Sequence, residues 1–392
     1  MTAGALNREK SGPLASLRVI EMAGLGPVPL AGLILAELGA DVIRIERKES
    51  GNRPFLAVPP DYDLDRHGRG VVKVDLKRPQ GIALMLELIG KADILVEGFR
   101  PGVMERLGLG PAEALARNPR LIYGRMTGFG QDGPLADRAG HDLTYLAYSG
   151  ILHAIGQRDG RPVPPLNLAA DFGGGTMFLI MGALAALFER QRSGRGQVID
   201  AAMIDGVSML AAPFFAFMAT GLWQDRRGSN LLDSGAPFYD TYETADGRHI
   251  AVACLEPQFF AEFARLLPLD ENYAASQYDR SQWDGMREAI AARISQKTRD
   301  EWSEIFGPTD ACVAPVLSLK EAPNHPHNRA RQTHRMAGTL KRPAPAPRFS
   351  RTPAEIAGPS ERTQCLLSTA LQRFGIDAEA VSALVDAGVI GE

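Results

Sequence analysis

Short apolar strands alternate with helices from residue 17 to residue 130, and few folds accept this alternation. Leu17–Glu21 and Asp41–Glu46 are predicted strands, separated by a Gly/Pro-rich loop and a helix that ends at Gly39. Three more strands are predicted at Val71–Leu76, Asp93–Glu97 and Leu121–Thr127. Strand–helix–strand units of about thirty residues predict parallel strands joined by crossover helices. The alternation therefore predicts the α/β class, with a doubly wound parallel sheet.

The pattern changes near Leu222, where the chain becomes polar and rich in turns. Phe238–Glu243 and Arg248–Cys254 are predicted strands around an Ala-Asp-Gly turn, which is a hairpin signal. We expect a large domain at residues 1–224, a smaller α+β domain at residues 225–330 and a segment at residues 331–392 that returns to the large domain.

Five further segments are predicted, two before this change and three after it. Thr176–Gln191 and Gly206–Thr220 are predicted helices, and Asp205 is expected to cap the second. Residues 331–357 are rich in Pro, Arg and Ala, which predicts an extended linker. Two C-terminal helices are predicted near residues 359–373 and 377–387.

Composition limits the kinds of partner. The chain has 392 residues and a net charge of −3, which indicates neither a general nucleic-acid partner nor a membrane-surface partner. Its three cysteines are widely spaced, so we expect no disulfide framework and a cytoplasmic location.

The N-terminus lacks the apolar core of a signal peptide. The longest apolar run, Met177–Phe188, is too short to cross a bilayer and predicts a buried helix.

Two groups that can move protons, His141 and Asp171, bracket the stretch Gly140–Gly175. Each is predicted to stand at a helix N-terminus, where free N–H groups and the helix dipole favour developing negative charge. A His there tends to stay neutral and able to accept a proton. The pair suits removal of a proton beside a carbonyl. The alternatives are that His141 is an ordinary polar residue and that Asp171 is an ordinary helix cap.

Four cations, Arg47, Lys77, Arg100 and Arg106, stand at or just after the ends of predicted strands. In a doubly wound sheet the carboxyl ends of the strands face the ligand crevice, so the set predicts an anionic ligand with more than one phosphate. Surface cations kept for solubility are the alternative. The chain has no dinucleotide fingerprint, P-loop or nucleophile elbow, which disfavours a nicotinamide site, a nucleoside triphosphatase and an α/β-hydrolase. It has no HExxH and no CxxC pair, so no structural or catalytic metal site is predicted.

Four motifs together resemble the family III CoA-transferases of the CaiB/BaiF type, and within that superfamily the α-methylacyl-CoA racemases. They are GHDLTYLAYSGILHAIG at 140–156, PPLNLAADFGGG at 164–175, EGFRPGV at 97–103 and GRMTGFGQDGP at 124–134. The resemblance extends from DVIRIER through YDTYETADGRHIAV to PAPRFSRTP. It implies a Rossmann-like large domain, a small domain, and an interlocked homodimer with each active site between one protomer's large domain and the other's small domain.

The resemblance also assigns residues. His141 and Asp171 match an acid/base pair, and Glu243 matches a carboxylate that supports the histidine. Contacts to a CoA thioester are implied at Arg47, Val74, Asp75, Leu76, Lys77, Gly98, Phe99, Arg100, Arg106, Gly140, Asp142, Leu143, Thr144 and Tyr145. No cofactor other than the CoA of the substrate is implied.

These assignments predict racemisation at the α-carbon of a 2-methylacyl-CoA thioester through an enolate. Neutral His141 would take one proton and protonated Asp171 would return another, while the Asp142 N–H would bind the enolate oxygen. The Asp171 pKa must then be raised, which we attribute to burial among Leu166, Leu168 and Phe172. Two alternatives remain: CoA transfer through an aspartyl intermediate at Asp171, and a non-catalytic protein that binds CoA esters.

Overall fold

The computed structural model describes residues 11–48, 58–359 and 364–391, and its contacts divide the chain into two compact units. Unit 1 comprises the residues up to 149, residues 166–210 and the residues from 330 onward. Unit 2 comprises residues 150–165 and 211–329, so it begins before the predicted boundary at 225. Residues 150–165 belong to unit 2 because Arg227 donates hydrogen bonds to the carbonyls of His153 and Gly160, both at 2.6 Å.

The sheet of unit 1 has six parallel strands in the order β3-β2-β1-β4-β5-β6. Successive strands are added on one side of β1 up to β3 and on its other side from β4 onward, so the strand order reverses between β1 and β4. This order is that of the doubly wound dinucleotide-binding folds, and ligands of such sheets bind at the reversal point, beyond the carboxyl ends of the strands. The strands are β1 (Arg18–Met22), β2 (Asp41–Arg47), β3 (Gly70–Val74), β4 (Ile94–Glu97), β5 (Ile122–Thr127) and β6 (Gln197–Ala202). The structure confirms the α/β class and the large parallel sheet.

Helices cover this sheet as the alternation predicts. In unit 1 they are α1 (Pro27–Glu37), α2 (Pro79–Lys91), α3 (Val103–Arg106), α4 (Pro111–Arg117), α5 (Asp142–Tyr148), α7 (Met177–Ser193), α8 (Met203–Leu210), α15 (Gln364–Arg373) and α16 (Ala378–Asp386). Prolines occupy the first turns of α1, α2 and α4, where a missing N–H costs nothing. Apolar residues of α2, α15 and α16 pack with the strands in one core that includes Met85, Leu371 and Val381.

The segment around Asp171 differs from the prediction. Leu168–Thr176 forms a π-helix that runs directly into α7, so helical structure begins eight residues before the predicted Thr176. Asp171 therefore lies in the first turn rather than at a cap. By length and composition the helix Leu168–Ser193 is long and apolar enough to cross a membrane, a test that core helices of soluble proteins also pass. The apolar run Met177–Phe188 is only part of this helix. The predicted burial holds in part, because Leu179 and Ile180 are buried whereas Met181 and Phe188 are exposed.

The predicted cap at Asp205 is wrong. Helix α8 begins at Met203, directly after β6, and Asp205 lies inside its first turn. The helix also ends at Leu210, and α9 (Ala212–Ala219) begins separately in unit 2. Pro213 in the first turn of α9 lacks the N–H that would continue the hydrogen bonds of a preceding helix.

The predicted linker at residues 331–357 is wrong in part. It contains a hairpin of β10 (His334–Ala337) and β11 (Leu340–Pro343), anchored where the Arg342 guanidinium contacts the Glu37 carboxylate. The chain then returns to the sheet and ends in β12 (Ile390–Gly391), which pairs antiparallel with β3.

Unit 2 contains a three-stranded antiparallel sheet of β7 (Tyr239–Glu243), β8 (His249–Ala253) and β9 (Val313–Pro315). The remaining helices are α6 (Ile151–Ala154), α10 (Pro257–Leu266), α11 (Glu271–Ala274), α12 (Trp283–Ile294), α13 (Arg299–Phe306) and α14 (Pro326–Ala330). Phe238, Phe260 and Trp283 form edge-on ring contacts in its core. The unit therefore has an aromatic core of its own.

Candidate active site

His141 directly precedes α5, at the carboxyl edge of the parallel sheet. It is the N-cap residue of this helix, with extended backbone geometry. Its backbone N–H donates to Oγ1 of Thr144 at 3.0 Å, which fixes the cap residue against the first turn. The side chain of His141 is exposed. The sequence prediction that His141 stands at a helix N-terminus is confirmed.

Asp142 ties α5 to the segment that carries Asp171. Its Oδ2 accepts the backbone N–H of Ala170 at 2.9 Å and that of Asp171 at 2.8 Å. The residue is 5% exposed, and its Oδ1 is buried without a hydrogen-bond partner among the described residues. The predicted role of Asp142 used only its backbone N–H, so the carboxylate contact is new information.

The Asp171 carboxyl group lies in a half-buried position in the π-helix. Burial raises its pKa, a hydrogen bond from Asn167 Nδ2 at 3.4 Å lowers it, the Asp142 charge raises it and His141 lowers it. The predicted rise is confirmed. The two predicted acid/base groups lie on segments that the Asp142 carboxylate joins, since it accepts the Asp171 N–H.

The predicted cause of that burial is wrong for two of its three residues, Leu166 and Leu168, whereas Phe172 is half-buried. Leu166 and Leu168 are 73% and 57% exposed, so they do not cover the carboxyl group. The loop after β1 approaches it instead: a Cβ added to Gly26 would lie 3.3 Å from Oδ2 of Asp171. Gly26 also has a φ of +70°, which favours glycine.

Close backbone packing holds the π-helix against α8. A Cβ added to Gly206 would lie 1.9 Å from the carbonyl oxygen of Gly174, which no side chain could accept. Thr176 is fully buried, and its hydroxyl donates to the carbonyl of Pro27 at 2.8 Å. A Cβ added to Gly174 would lie 2.6 Å from the Val207 backbone nitrogen, and one added to Gly175 would lie 2.9 Å from Cγ of Met203, so both positions favour glycine.

Tyr145 packs against the segment between β5 and α5. Its ring fills the space beside Gly128 and Gly140, where an added Cβ would approach within 2.1 and 2.5 Å respectively. Phe129 contacts the ring edge-on, at 5.0 Å between centroids. Burial, followed by the charges of Asp171 and Asp142, raises the pKa of Tyr145 to about 12. Tyr145 therefore stays protonated at neutral pH.

The four predicted cations lie at or just beyond the carboxyl ends of the parallel strands. Arg47 ends β2, Lys77 follows β3, Arg100 follows β4 and Arg106 ends α3. All four are exposed, and none of their side chains has an ion pair within the described parts of the chain. By contrast, Arg44 and Arg69, nearby in the fold, are buried against Glu21.

An ion-pair network supports the loop at Gly98–Arg100. Glu97 is fully buried and accepts the backbone N–H of Phe99 at 2.7 Å. Arg125 on β5 joins Glu97, at 3.0 Å, to Glu105 on α3, at 2.8 Å. Burial raises the pKa of Glu97, and the hydrogen bonds from Phe99 and Arg125 lower it. Sequence reasoning missed this network, although Glu97 and Arg125 lie within the quoted motifs.

Other predicted residues differ in what they can contact. The Val74 side chain is 1% exposed, so only its backbone could meet a ligand. Leu143 and Thr144 are exposed, and Asp75 and Leu76 are half-buried between β3 and α2. Glu243 is exposed at the end of β7 and belongs to unit 2, whereas His141 and Asp171 belong to unit 1. Among the described residues, no three His, Cys, Asp or Glu side chains gather as metal ligands.

Known proteins match most of this chain. The model for CoA-transferase family III matches residues 14–360. An alpha-methylacyl-CoA racemase of Mus musculus is 47% identical over 87% of both chains, and that of Homo sapiens is 43% identical over the same shares. A crystal structure of a CAIB/BAIF family protein from Brucella suis matches with a TM-score of 0.78 at 26% identity, covering 94% of this chain and all of that one.

Proposed function

Because this chain belongs to CoA-transferase family III, we propose that it inverts the α-carbon of 2-methylacyl-CoA thioesters by proton transfer through an enolate. The observation that carries the proposal is the hydrogen bond from the Asp171 N–H to the Asp142 carboxylate, which joins the segment of Asp171 to the helix that begins directly after His141. The 43–47% identity to racemases of two mammals supports the same reaction.

The chemistry requires one group on each side of the α-carbon. For one enantiomer, the neutral imidazole of His141 accepts the α-proton, and the thioester becomes a planar enolate. The carboxylic acid of Asp171 then donates a proton to the opposite side, and the two residues exchange roles for the other enantiomer. Each such group contributes about 10²–10⁴-fold to the rate.

The state of Asp171 agrees with a donor role. An ordinary aspartate is ionised at neutral pH, but burial raises the pKa of this one and the neighbouring Asp142 charge adds to the rise. An acid whose pKa lies nearer to the working pH transfers protons more efficiently.

The enolate oxygen needs hydrogen-bond donors. The N–H groups of Asp142 and Leu143, the first two residues of α5, have no acceptor within the described parts of the chain. Such N–H groups at a helix start stabilise an anion, and removing one oxyanion donor typically costs about 3–4 kcal/mol. We assign the Asp142 N–H to the enolate oxygen.

The anionic CoA moiety would occupy the carboxyl edge of the sheet. Arg47, Lys77, Arg100 and Arg106 are exposed there without ion pairs among the described residues, and they supply the charge that its phosphates need. The proposed reaction moves only protons, so the residues named here need no cofactor besides the CoA of the substrate.

Isotope exchange separates racemisation from CoA transfer. Incubating a single enantiomer of a 2-methylacyl-CoA in deuterated water should give α-deuterium and loss of optical purity, without an added acid. A transferase would instead move CoA to an added carboxylate and form an anhydride that hydroxylamine traps at Asp171. CoA movement without exchange would overturn the proposal. The His141→Ala variant should lose exchange by at least about 10²-fold.

We also propose a homodimer in which His141 meets Glu243 of the partner subunit, as the family resemblance implies. Exposed apolar side chains along α7, namely Met177, Met181 and Phe188, support a buried protein contact on this helix of unit 1. Co-expressing His141→Ala with Glu243→Ala tests it. A shared site predicts hybrid dimers with one intact active site, whereas Glu243 acting within its own chain predicts inactive hybrids.

A further inference from the structure

The C-terminal residues 387–391 meet two loops that carry predicted CoA contacts. β12 pairs with the end of β3, placing Ile390 opposite Val74. The backbone N–H of Asp75 donates to the carbonyl of Val389 at 2.9 Å. Val389 and Ile390 are buried in the core of unit 1. The end of the chain is thus built into the carboxyl edge of the sheet.

Two cations bind the carbonyls at the end of α16. Lys48 Nζ contacts the carbonyl of Gly388, and Arg78 Nη1 donates to that of Ala387 at 2.7 Å. These carbonyls lack partners inside a helix, and cations near a helix C-terminus are favourable. Lys48 and Arg78 each adjoin a predicted phosphate-binding cation, Arg47 and Lys77 respectively.

In each pair of adjacent cations, Arg47–Lys48 and Lys77–Arg78, only the second residue binds a C-terminal carbonyl among the described residues. Lys48 and Arg78 are held by the C-terminal carbonyls, while the side chains of Arg47 and Lys77 are exposed with no hydrogen bond or ion pair in the part of the chain that the structure describes. The Asp75 carboxylate adds to this arrangement, since it accepts the Lys77 N–H at 3.0 Å and lies 3.4 Å from Arg78.

We infer that residues 387–391 position the residues that bind the nucleotide end of CoA. They bind Lys48 and Arg78, and these contacts fix the neighbouring Arg47 and Lys77. The inference rests on the proposed function. The C-terminal carbonyls hold one cation of each pair and so leave the other directed at the ligand. Loss of these contacts lets both loops move, which weakens recognition of the CoA phosphates without changing the acid/base pair.

The test compares a CoA thioester with the pantetheine thioester of the same acyl group, which lacks the nucleotide. In Lys48→Met and Arg78→Met, kcat/KM for the CoA thioester should fall about tenfold more than that for the pantetheine thioester, mainly through KM. Lys91→Met is the matched control, because Lys91 Nζ likewise donates to a carbonyl after a helix, that of Gly375 at 2.7 Å. Equal losses for both substrates, or the same selective loss in Lys91→Met, would overturn the inference.

A deletion of residues 388–392 separates positioning from direct phosphate contact, since it removes the carbonyl of Gly388 but leaves both cations. Positioning predicts the same selective loss in the folded deletion variant, and an unchanged preference for CoA would contradict it. Calorimetric titration of CoA into the deletion variant and the wild type gives the same comparison without catalysis. Weaker CoA binding would support the inference even if no racemisation occurs, and equal binding would sink it.

Discussion

The backbone N–H of Asp171 donates to the carboxylate of Asp142 at 2.8 Å. The residue after the proposed base thus holds the backbone of the proposed acid. The distance between the two groups on either side of the α-carbon then depends on one buried carboxylate. A misplacement of about 1 Å can cost an enzyme 10²-fold in rate, so this contact has a direct bearing on catalysis.

Asp142→Asn should lower kcat by about 10²-fold with a smaller change in KM, because the amide binds the two N–H groups less strongly than a carboxylate does. It also removes a charge that raises the Asp171 pKa, so the acid/base profile of kcat should move to lower pH. Steady-state rates between pH 5 and 9 measure both. Asp270→Asn is the control, since this carboxylate caps α11 in unit 2 through the Asn272 N–H; an equal loss there would contradict the role of Asp142.

Asp171→Asn should abolish most activity, by about 10²–10⁴-fold, yet stabilise the protein at neutral pH. The folded-state pKa of Asp171 lies above its ordinary value of 3.8, so the native state binds its proton more tightly than the unfolded state does. The free energy of unfolding therefore falls as the pH rises from 3.8 to the raised pKa of the folded state. Urea unfolding at pH 7 should show the variant more stable than the wild type, and the difference should shrink toward pH 4. A variant less stable at pH 7 would contradict the burial of this carboxyl group.

Gly206→Ala should destabilise unit 1 by at least about 2 kcal/mol, as overpacking does, because the new Cβ would lie 1.9 Å from the carbonyl oxygen of Gly174. Activity should fall as well, since the shift moves the segment that carries Asp171. Gly358→Ala is a matched control, with no atom within 4 Å of the added Cβ. Denaturant unfolding measures the difference, and equal stabilities of the two variants would refute the close-packing explanation.

Arg125→Met should destabilise the protein by about 3–5 kcal/mol, because it leaves Glu97 buried without its cation. Removing Arg125 also takes away an influence that lowers the Glu97 pKa, so the loss should lessen at acidic pH as Glu97 becomes protonated. Arg226→Met removes an exposed pair with Asp159 and should cost about 1 kcal/mol or less. Urea unfolding at pH 7 and pH 5 tests both statements; a loss independent of pH would exclude Glu97 as the cause.

Much of the fold follows from local sequence. The strands β1 to β5 and the helices between them were predictable because buried parallel strands are short apolar runs, and Gly or Pro marks the ends of the elements. The strand order and the antiparallel β12 were not, because they depend on contacts between distant segments. Residues 331–357 appeared to be a linker for the same reason: Arg342 needs Glu37, 305 positions away, to anchor its hairpin.

The same distinction between local and long-range contacts decides which residues of the site were predictable. His141 was predictable because an N-cap position is a local property. The π-helix around Asp171 was not, since close packing of Gly174 on Gly206 selects it over an ordinary turn. The neighbours of the Asp171 carboxyl group were also mistaken, because adjacent leucines in the sequence face solvent while Gly26, far away in the chain, lies beside it.

The π-helix at Leu168–Thr176 carries one more residue per hydrogen-bonded ring than an α-helix would. Deleting a single residue from it would let the segment relax to α-helical geometry without disturbing the buried face of α7. The change would be absorbed within the segment, so the Asp171 carboxyl group and the contacts of Gly174 with Gly206 and of Thr176 with Pro27 would shift. The position of the Asp171 carboxyl group therefore depends on the number of residues in this segment and not only on which residues they are.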